Sequence, residues 1–166
     1  PRSKKSSRAN INFFVDLSSV SPTPANLTLK AGPVASTGGQ SAGQSFVFGI
    51  PEDLTVSVVD GIASFDEIEV YEGSYLSQTY VYSTRNPFQK FILPSAGIDL
   101  DSLVVRVKPS VDSSVSTKYS RQDELFDNDT KSTITGNSNI YFIQEIEGEQ
   151  YEVIFGDGVF GKALED

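Results

Sequence analysis

The chain has 166 residues, enough for one domain or two small ones, and contains no Cys, no His and no Met. Without His or Cys it lacks every Ser-His-Asp or Cys-His nucleophile and every Cys or Cys/His zinc site, and it must fold without disulfides. Its net charge is −9, from 22 acidic and 13 basic residues, so the body repels nucleic acid, whose binding relies on neutralising phosphates.

The start of the chain differs from the rest. Residues 1–10 carry Arg2, Lys4, Lys5 and Arg8 and no acid, and they read as a solvated, flexible basic arm. No apolar stretch of signal-peptide length follows, and no run approaches the roughly 20 apolar residues that span a bilayer. The absence of Met points to a piece of a longer protein.

From residue 11 onward the chain reads as strands. Alternating, β-branched or aromatic runs occur at 11–15, 27–29, 45–50, 54–59, 68–71, 79–82, 88–93, 103–108, 140–146 and 150–155. Turn formers separate them, among them Pro22, Pro24, Gly38-Gly39, Asp60-Gly61, Glu72-Gly73, Asn86-Pro87, Pro94, Pro109 and Glu147-Gly148. Short strands with a turn signal about every ten residues predict a mainly β chain: antiparallel β-sandwich or β-barrel-like units with little helix. The expected organisation is a β-rich domain over 11–109, a polar connector or edge strand with a long loop over 110–139, and a C-terminal hairpin over 140–166. Weak helix candidates are 120–126 and 159–165.

Two hairpins stand out. Residues 54–59 and 62–65 flank Asp60-Gly61, a pair that tolerates the positive φ of a type I′ turn. Residues 140–146 and 150–155 flank Glu147-Gly148-Glu149. In the second hairpin Tyr151, Val153 and Phe155 share one face and Gln150, Glu152 and Ile154 the other, which predicts one buried face and one that is wet or kept for a partner. The stretch 110–139 is rich in Ser, Thr, Asp and Asn, and either a long loop or an edge strand over 111–119 fits it.

Candidate chemistry is sparse. Asp123, Glu124, Asp127 and Asp129 cluster around Asn128, but a calcium loop counted from Asp127 needs Gly sixth and Glu twelfth, where this chain has Ser132 and Ser138. A solvated loop fits better. Glu67, Glu69, Glu145, Glu147 and Glu152 could in principle pair for glycoside hydrolysis, but no apolar neighbourhood singles one out as an acid. Gly156, Asp157, Gly158 and Gly161 form G-D-G-V-F-G, a G-x-G-x-x-G string whose preceding strand belongs to an antiparallel hairpin, so a tight turn explains it better than a dinucleotide site. Tyr75, Tyr80 and Tyr82 are the aromatics to check for exposure. The expectation is a non-enzyme with no cofactor and no metal.

The final stretch reads I-Y-F-I-Q-E-I-E-G-E-Q-Y-E-V-I-F-G-D-G-V-F-G-K-A-L-E-D over 140–166. Its core, Y-E-V-I-F-G-D-G-V-F-G-K-A-L at 151–164, closely resembles the baseplate wedge subunits of T-even-type contractile-tailed bacteriophages, within the wider baseplate J-like family. Softer similarity runs through Arg8-Ala9-Asn10-Ile11-Asn12, Leu27-Thr28-Leu29-Lys30-Ala31-Gly32, the stretch 53–73, Phe91-Ile92-Leu93-Pro94 and Gly97-Ile98-Asp99. Residues 38–44 and 110–139 depart from the pattern, and the resemblance implies further strands beyond residue 166.

The resemblance implies a virion structural protein of the tail baseplate, assembled in the bacterial cytoplasm. Such subunits pair with one another, with a homodimer expected for the full-length protein, and bind other wedge proteins to build the ring around the hub. No reaction, cofactor, nucleic acid or membrane is implied. The expected interface lies along the C-terminal hairpin, at Tyr141, Ile143, Glu145, Tyr151, Val153 and Phe155, with the Gly156-Asp157-Gly158 turn and Gly161 holding its end. The alternative is a β-sandwich adhesin or carbohydrate-binding module, which would need an exposed aromatic platform or a calcium site.

Overall fold

The computed structural model describes residues 5–38, 45–86, 88–95, 97–122 and 134–165. The chain is mainly β, as the sequence predicts: among the described residues there are eleven strands and one 3-10 turn at Leu100–Ser102. It divides into two compact units, each discontinuous in sequence. Among the described residues, unit A takes 5–76 and Asp99–Leu103, and unit B takes Ser77–Ile98 and 104–165. The division therefore does not follow the expected boundaries at 109 and 139, because long-range strand pairing joins segments that sequence order keeps apart.

Unit A holds strands β1 (Arg8–Asp16), β2 (Asn26–Leu29), β3 (Gly32–Ser36), β4 (Val47–Ile50), β5 (Leu54–Val59) and β6 (Ile62–Glu72). Their order is β2-β5-β6-β4-β3, and β1 pairs with β6. Strand β6 meets β5 near Ile62 and β4 near Tyr71, while β1 runs along it from Ile62 to Tyr71. The long strand β6 thus has β1 on one edge and β5 and β4 on the other. The β5–β6 turn has Asp60 at φ +50° and Gly61 at φ +79°, the left-handed pair that a two-residue hairpin requires.

Alternation decides which face is buried. Ala63 and Phe65 point inward from β6, and further along Ile68 and Val70 do. The change of parity is made by a β-bulge: Ile11 faces Ile68 but Phe13 faces Phe65, so Asp66 and Glu67 together oppose Asn12. Glu67 sits at φ +52°, and its N–H donates to the Asn12 side chain. One extra residue thereby keeps the apolar side of a long strand on the core throughout. Phe65 is stacked on Phe13, ring centroids 4.8 Å apart, and is fully enclosed with Val70. Burying a side chain of this size contributes about 1.5–3 kcal/mol.

Unit B holds β7 (Phe91–Ile92), β8 (Val105–Val107), β9 (Thr117–Arg121), β10 (Ile140–Ile146) and β11 (Gln150–Phe155), in the order β7-β11-β10-β9-β8. Three of its strand pairs are antiparallel, β7–β11, β10–β11 and β8–β9, but β9 runs parallel to β10, so the sheet is mixed. An aromatic row crosses its core: Tyr80 on Phe91, Phe91 on Phe155 and Phe155 on Tyr119, each edge-to-face at 5.4–5.6 Å.

Several local expectations shift. Of the arm expected at 1–10, Arg8–Asn10 begin β1, and residues 1–4 lie outside the described residues. The run at 79–82 forms no ladder; Tyr80 instead donates its hydroxyl to the Ile92 carbonyl. Of the helix candidates, Ser120 and Arg121 lie in β9 and 159–165 is irregular; residues 123–126 lie outside the described residues. Of the stretch 111–119, for which a loop and an edge strand both fit, only 117–119 is strand, as the start of β9, which lies between β8 and β10.

Candidate functional site

The C-terminal hairpin pairs β10 with β11 antiparallel. Tyr141 faces Phe155, Ile143 faces Val153 and Glu145 faces Tyr151. The connecting turn places Gly148 at φ +82° and Glu149 at φ +58°. Beyond β11 the chain enters the G-D-G-V-F-G segment. The Asp157 carboxylate accepts the N–H groups of Val159 and Phe160, both at 2.9 Å. These backbone hydrogen bonds hold its carboxyl below the usual carboxylate range. The Gly158 N–H donates to the Gly161 carbonyl at 3.0 Å, the Gly161 N–H to Thr135 at 3.1 Å and the Lys162 N–H to Ser138 at 2.8 Å.

Glycine is needed here by close approach. A Cβ on Gly156 would lie 2.2 Å from the Gly161 carbonyl carbon, and one on Gly136 would lie 2.0 Å from the Gly158 oxygen. Gly161 has φ +85°, and a Cβ there would reach Ile140 at 2.7 Å. The turn is thus sewn onto the 135–138 segment. What it leaves outward is a pair of apolar side chains, Val159 at 66% exposure and Phe160 at 44%. No helix follows Gly161 among the described residues, so the glycine string makes a hydrogen-bonded turn without the strand-turn-helix geometry of a phosphate site.

The expected interface residues fall mostly inside the unit. Tyr141 is 2% exposed, and Tyr151 and Val153 are also buried. Ile143 and Phe155 are half-buried, and Glu145 is exposed. The face assigned to a partner is therefore the unit's own core face, because β10 and β11 are the central strands and the aromatic row packs on them. That placement is corrected: Tyr141, Tyr151 and Val153 are core, and the outward apolar groups of this region are Ile154, Val159 and Phe160.

Unit A carries a second constellation that sequence reasoning missed. Asp99 caps the 3-10 turn and Asp101 lies within it, and both reach back to the start of β1 across 93 residues. The Ser6 N–H and hydroxyl both donate to Asp99, and the Asp101 N–H donates to its other oxygen at 3.0 Å. Arg8 donates to Asp101 at 3.0 Å, stands 3.6 Å from Glu69 and lies 5.0 Å from the centre of the Tyr71 ring. Lys5 is 3.3 Å from Asp101. Burial pushes Asp99 up, but the hydrogen bonds from Ser6 and Asp101, with Arg8 nearby, outweigh it and hold the carboxyl below its ordinary range. Burial and donation to Glu69 at 2.6 Å push the Tyr71 hydroxyl up to about 12. Every charge in this cluster is answered within it, which marks it as a clasp for the strand start.

Other candidates resolve individually. Glu69 belongs to the clasp, Glu152 lies 3.9 Å from Lys90, and Glu67, Glu145 and Glu147 are exposed. Asp123, Glu124, Asp127 and Asp129 lie outside the described residues. Among the described residues no group of three or more acidic side chains is placed to hold a metal ion, and no helix is long and apolar enough to cross a membrane. Tyr75 and Tyr80 are exposed, Tyr82 half-buried, and Tyr80 is tied down by its hydrogen bond and its contact with Phe91. Compared with known proteins, the chain matches no protein-family model and no curated protein.

Proposed function

We propose that this chain is a structural component of a phage tail baseplate wedge, self-associating and binding other wedge proteins to build the ring around the hub, with no catalytic role. The feature that supports this most is the 156–161 turn. It lies within the stretch that resembles baseplate wedge subunits, it is immobilised by Asp157 and by glycine contacts, and it spends that order on presenting Val159 and Phe160 outward. A rigid display of exposed apolar side chains suits a docking point, since little conformational entropy is then lost on binding. A stable wedge interface would bury on the order of 1,200 Å² or more, with these two side chains inside it.

The test is capture from lysate of bacteria producing a contractile-tailed phage, with the tagged chain as bait. Other tail proteins recovered in fixed ratio, and lost with Val159→Ser/Phe160→Ser, are the expected result. A folded bait that recovers no tail protein overturns the assignment and directs attention to glycan binding.

A further inference from the structure

Unit A ends in edges of different character. Strand β2 is four residues long, and β3 contains Pro33, which has no N–H, and a register shift between Pro33 and Ala35. Shortness, proline and bulges are the means by which proteins keep sheet edges from pairing. Strand β1 has none of them. It runs nine residues, R-A-N-I-N-F-F-V-D, without Pro, Gly or Lys, and its irregularity lies on its partner β6. Its edge away from β6 pairs with no strand among the described residues.

The backbone groups on that edge can be assigned. The Glu72 N–H donates to Ser7 and the Leu17 N–H donates to Gly61. With the register between them, the odd residues of β1 exchange hydrogen bonds with β6 on both sides of the bulge. Arg8, Asn10, Asn12, Phe14 and Asp16 therefore turn their N–H and C=O groups outward.

We infer that this edge pairs with the same edge of a second copy, antiparallel, about a two-fold axis at Asn12. This deepens the self-association in the proposed assembly role. A symmetric contact must match a strand with its own reverse, and β1 does so in one full-overlap register. Arg8 then faces Asp16 of the second copy, Asn10 faces Phe14, and Asn12 faces Asn12, all outward-donating residues. On the core side Ile11 meets Phe13 and Ala9 meets Val15, so the apolar face continues across the seam. The strand's two charges are opposite, so Arg8, which also holds Asp101 and Glu69 of its own chain, lies across from Asp16, and the strand is neutral in a chain of net charge −9. Phe14, 68% exposed, gains a cross-strand neighbour.

The experiment is sedimentation equilibrium of the purified chain over a wide concentration range. The expected result is a concentration-dependent species of twice 18.0 kDa. Phe14→Pro removes an outward N–H and no bond to β6, and should weaken the dimer about tenfold or more with the circular dichroism of the native chain. Should that variant misfold, Asp16→Asn keeps an oxygen for the Ser18 N–H while deleting the charge opposite Arg8, and should weaken the dimer in low salt. A monomer at all concentrations, or a dimer indifferent to the folded variants, overturns the inference. Because only purified chain is used, these outcomes are independent of whether lysate capture recovers tail proteins.

Discussion

Asp157 stands at the surface yet accepts two backbone N–H groups, so its removal acts on local order. Asp157→Ala should speed amide hydrogen exchange at Val159 and Phe160 while leaving the melting temperature of the whole chain nearly unchanged. Phe65 is the opposite case. It is enclosed against Phe13, and Phe65→Ala should cost about 3–5 kcal/mol in chemical denaturation, the range for deleting a buried aromatic ring. Tyr71 offers a spectroscopic handle. Burial and its bond to Glu69 raise its pKa to about 12, so in an ultraviolet titration it should ionise later than an exposed tyrosine. Because the folded value is raised, its contribution to stability is complete below about pH 10 and is lost as pH climbs toward the folded value. The Glu69→Gln variant should move that step to lower pH.

At the level of elements, the parts settled by short-range chemistry were readable in advance. The Asp60-Gly61 turn and the Glu147-Gly148-Glu149 turn fix their hairpins through backbone angles that few other residues adopt, and both registers follow from them. Strand β3 was not readable, because Gly32 and Pro33 argue against a strand; at a sheet edge a missing N–H costs nothing, and the strand forms there. The runs 62–65 and 68–71 looked like separate strands because their alternation changes parity, whereas the bulge at Asp66 and Glu67 joins them. Asn12 is the residue that stabilises the bulge. Asn12→Ala should leave the Glu67 N–H without its protein acceptor and cost about 1 kcal/mol, seen as faster exchange at Glu67. The G-D-G-V-F-G segment was legible as a turn, but the need for Gly136 was not, since its contact with Gly158 spans 22 positions with no local signature. Gly156→Ala should unseat this turn, detected as rapid proteolysis after residue 155.

Across the whole molecule the illegible information is long-range. Nothing near Ser6 or Arg8 announces Asp99 and Asp101, and nothing in 117–121 announces a parallel partner at 140. For the same reason, a sequence division into consecutive domains missed the interleaved units. Acid sensitivity also belongs to this scale. Asp16, Asp99 and Asp157 all titrate below the usual carboxylate range, through the Ser18 bonds for Asp16, the bonds that outweigh burial for Asp99, and the turn amides for Asp157. Groups with depressed folded values stabilise the protein above the unfolded pKa of about 3.9 and lose that contribution as pH falls through the folded value. Stability in a urea titration should therefore be flat near neutrality and decline below about pH 4.

The interleaving also sets a timetable for synthesis. A nascent chain grows from its N-terminus, and domains that are continuous can fold as they emerge. Here Ser6 and Arg8 leave the ribosome long before Asp99 and Asp101 are made, so the first strand waits for its clasp. Unit B waits longer still: among the described residues β7 pairs with β11 alone, and the two stand more than fifty positions apart. During that interval the polypeptide carries the apolar segment of β7 with no neighbouring strand, and the unit B sheet closes only once residues 150–155 have emerged.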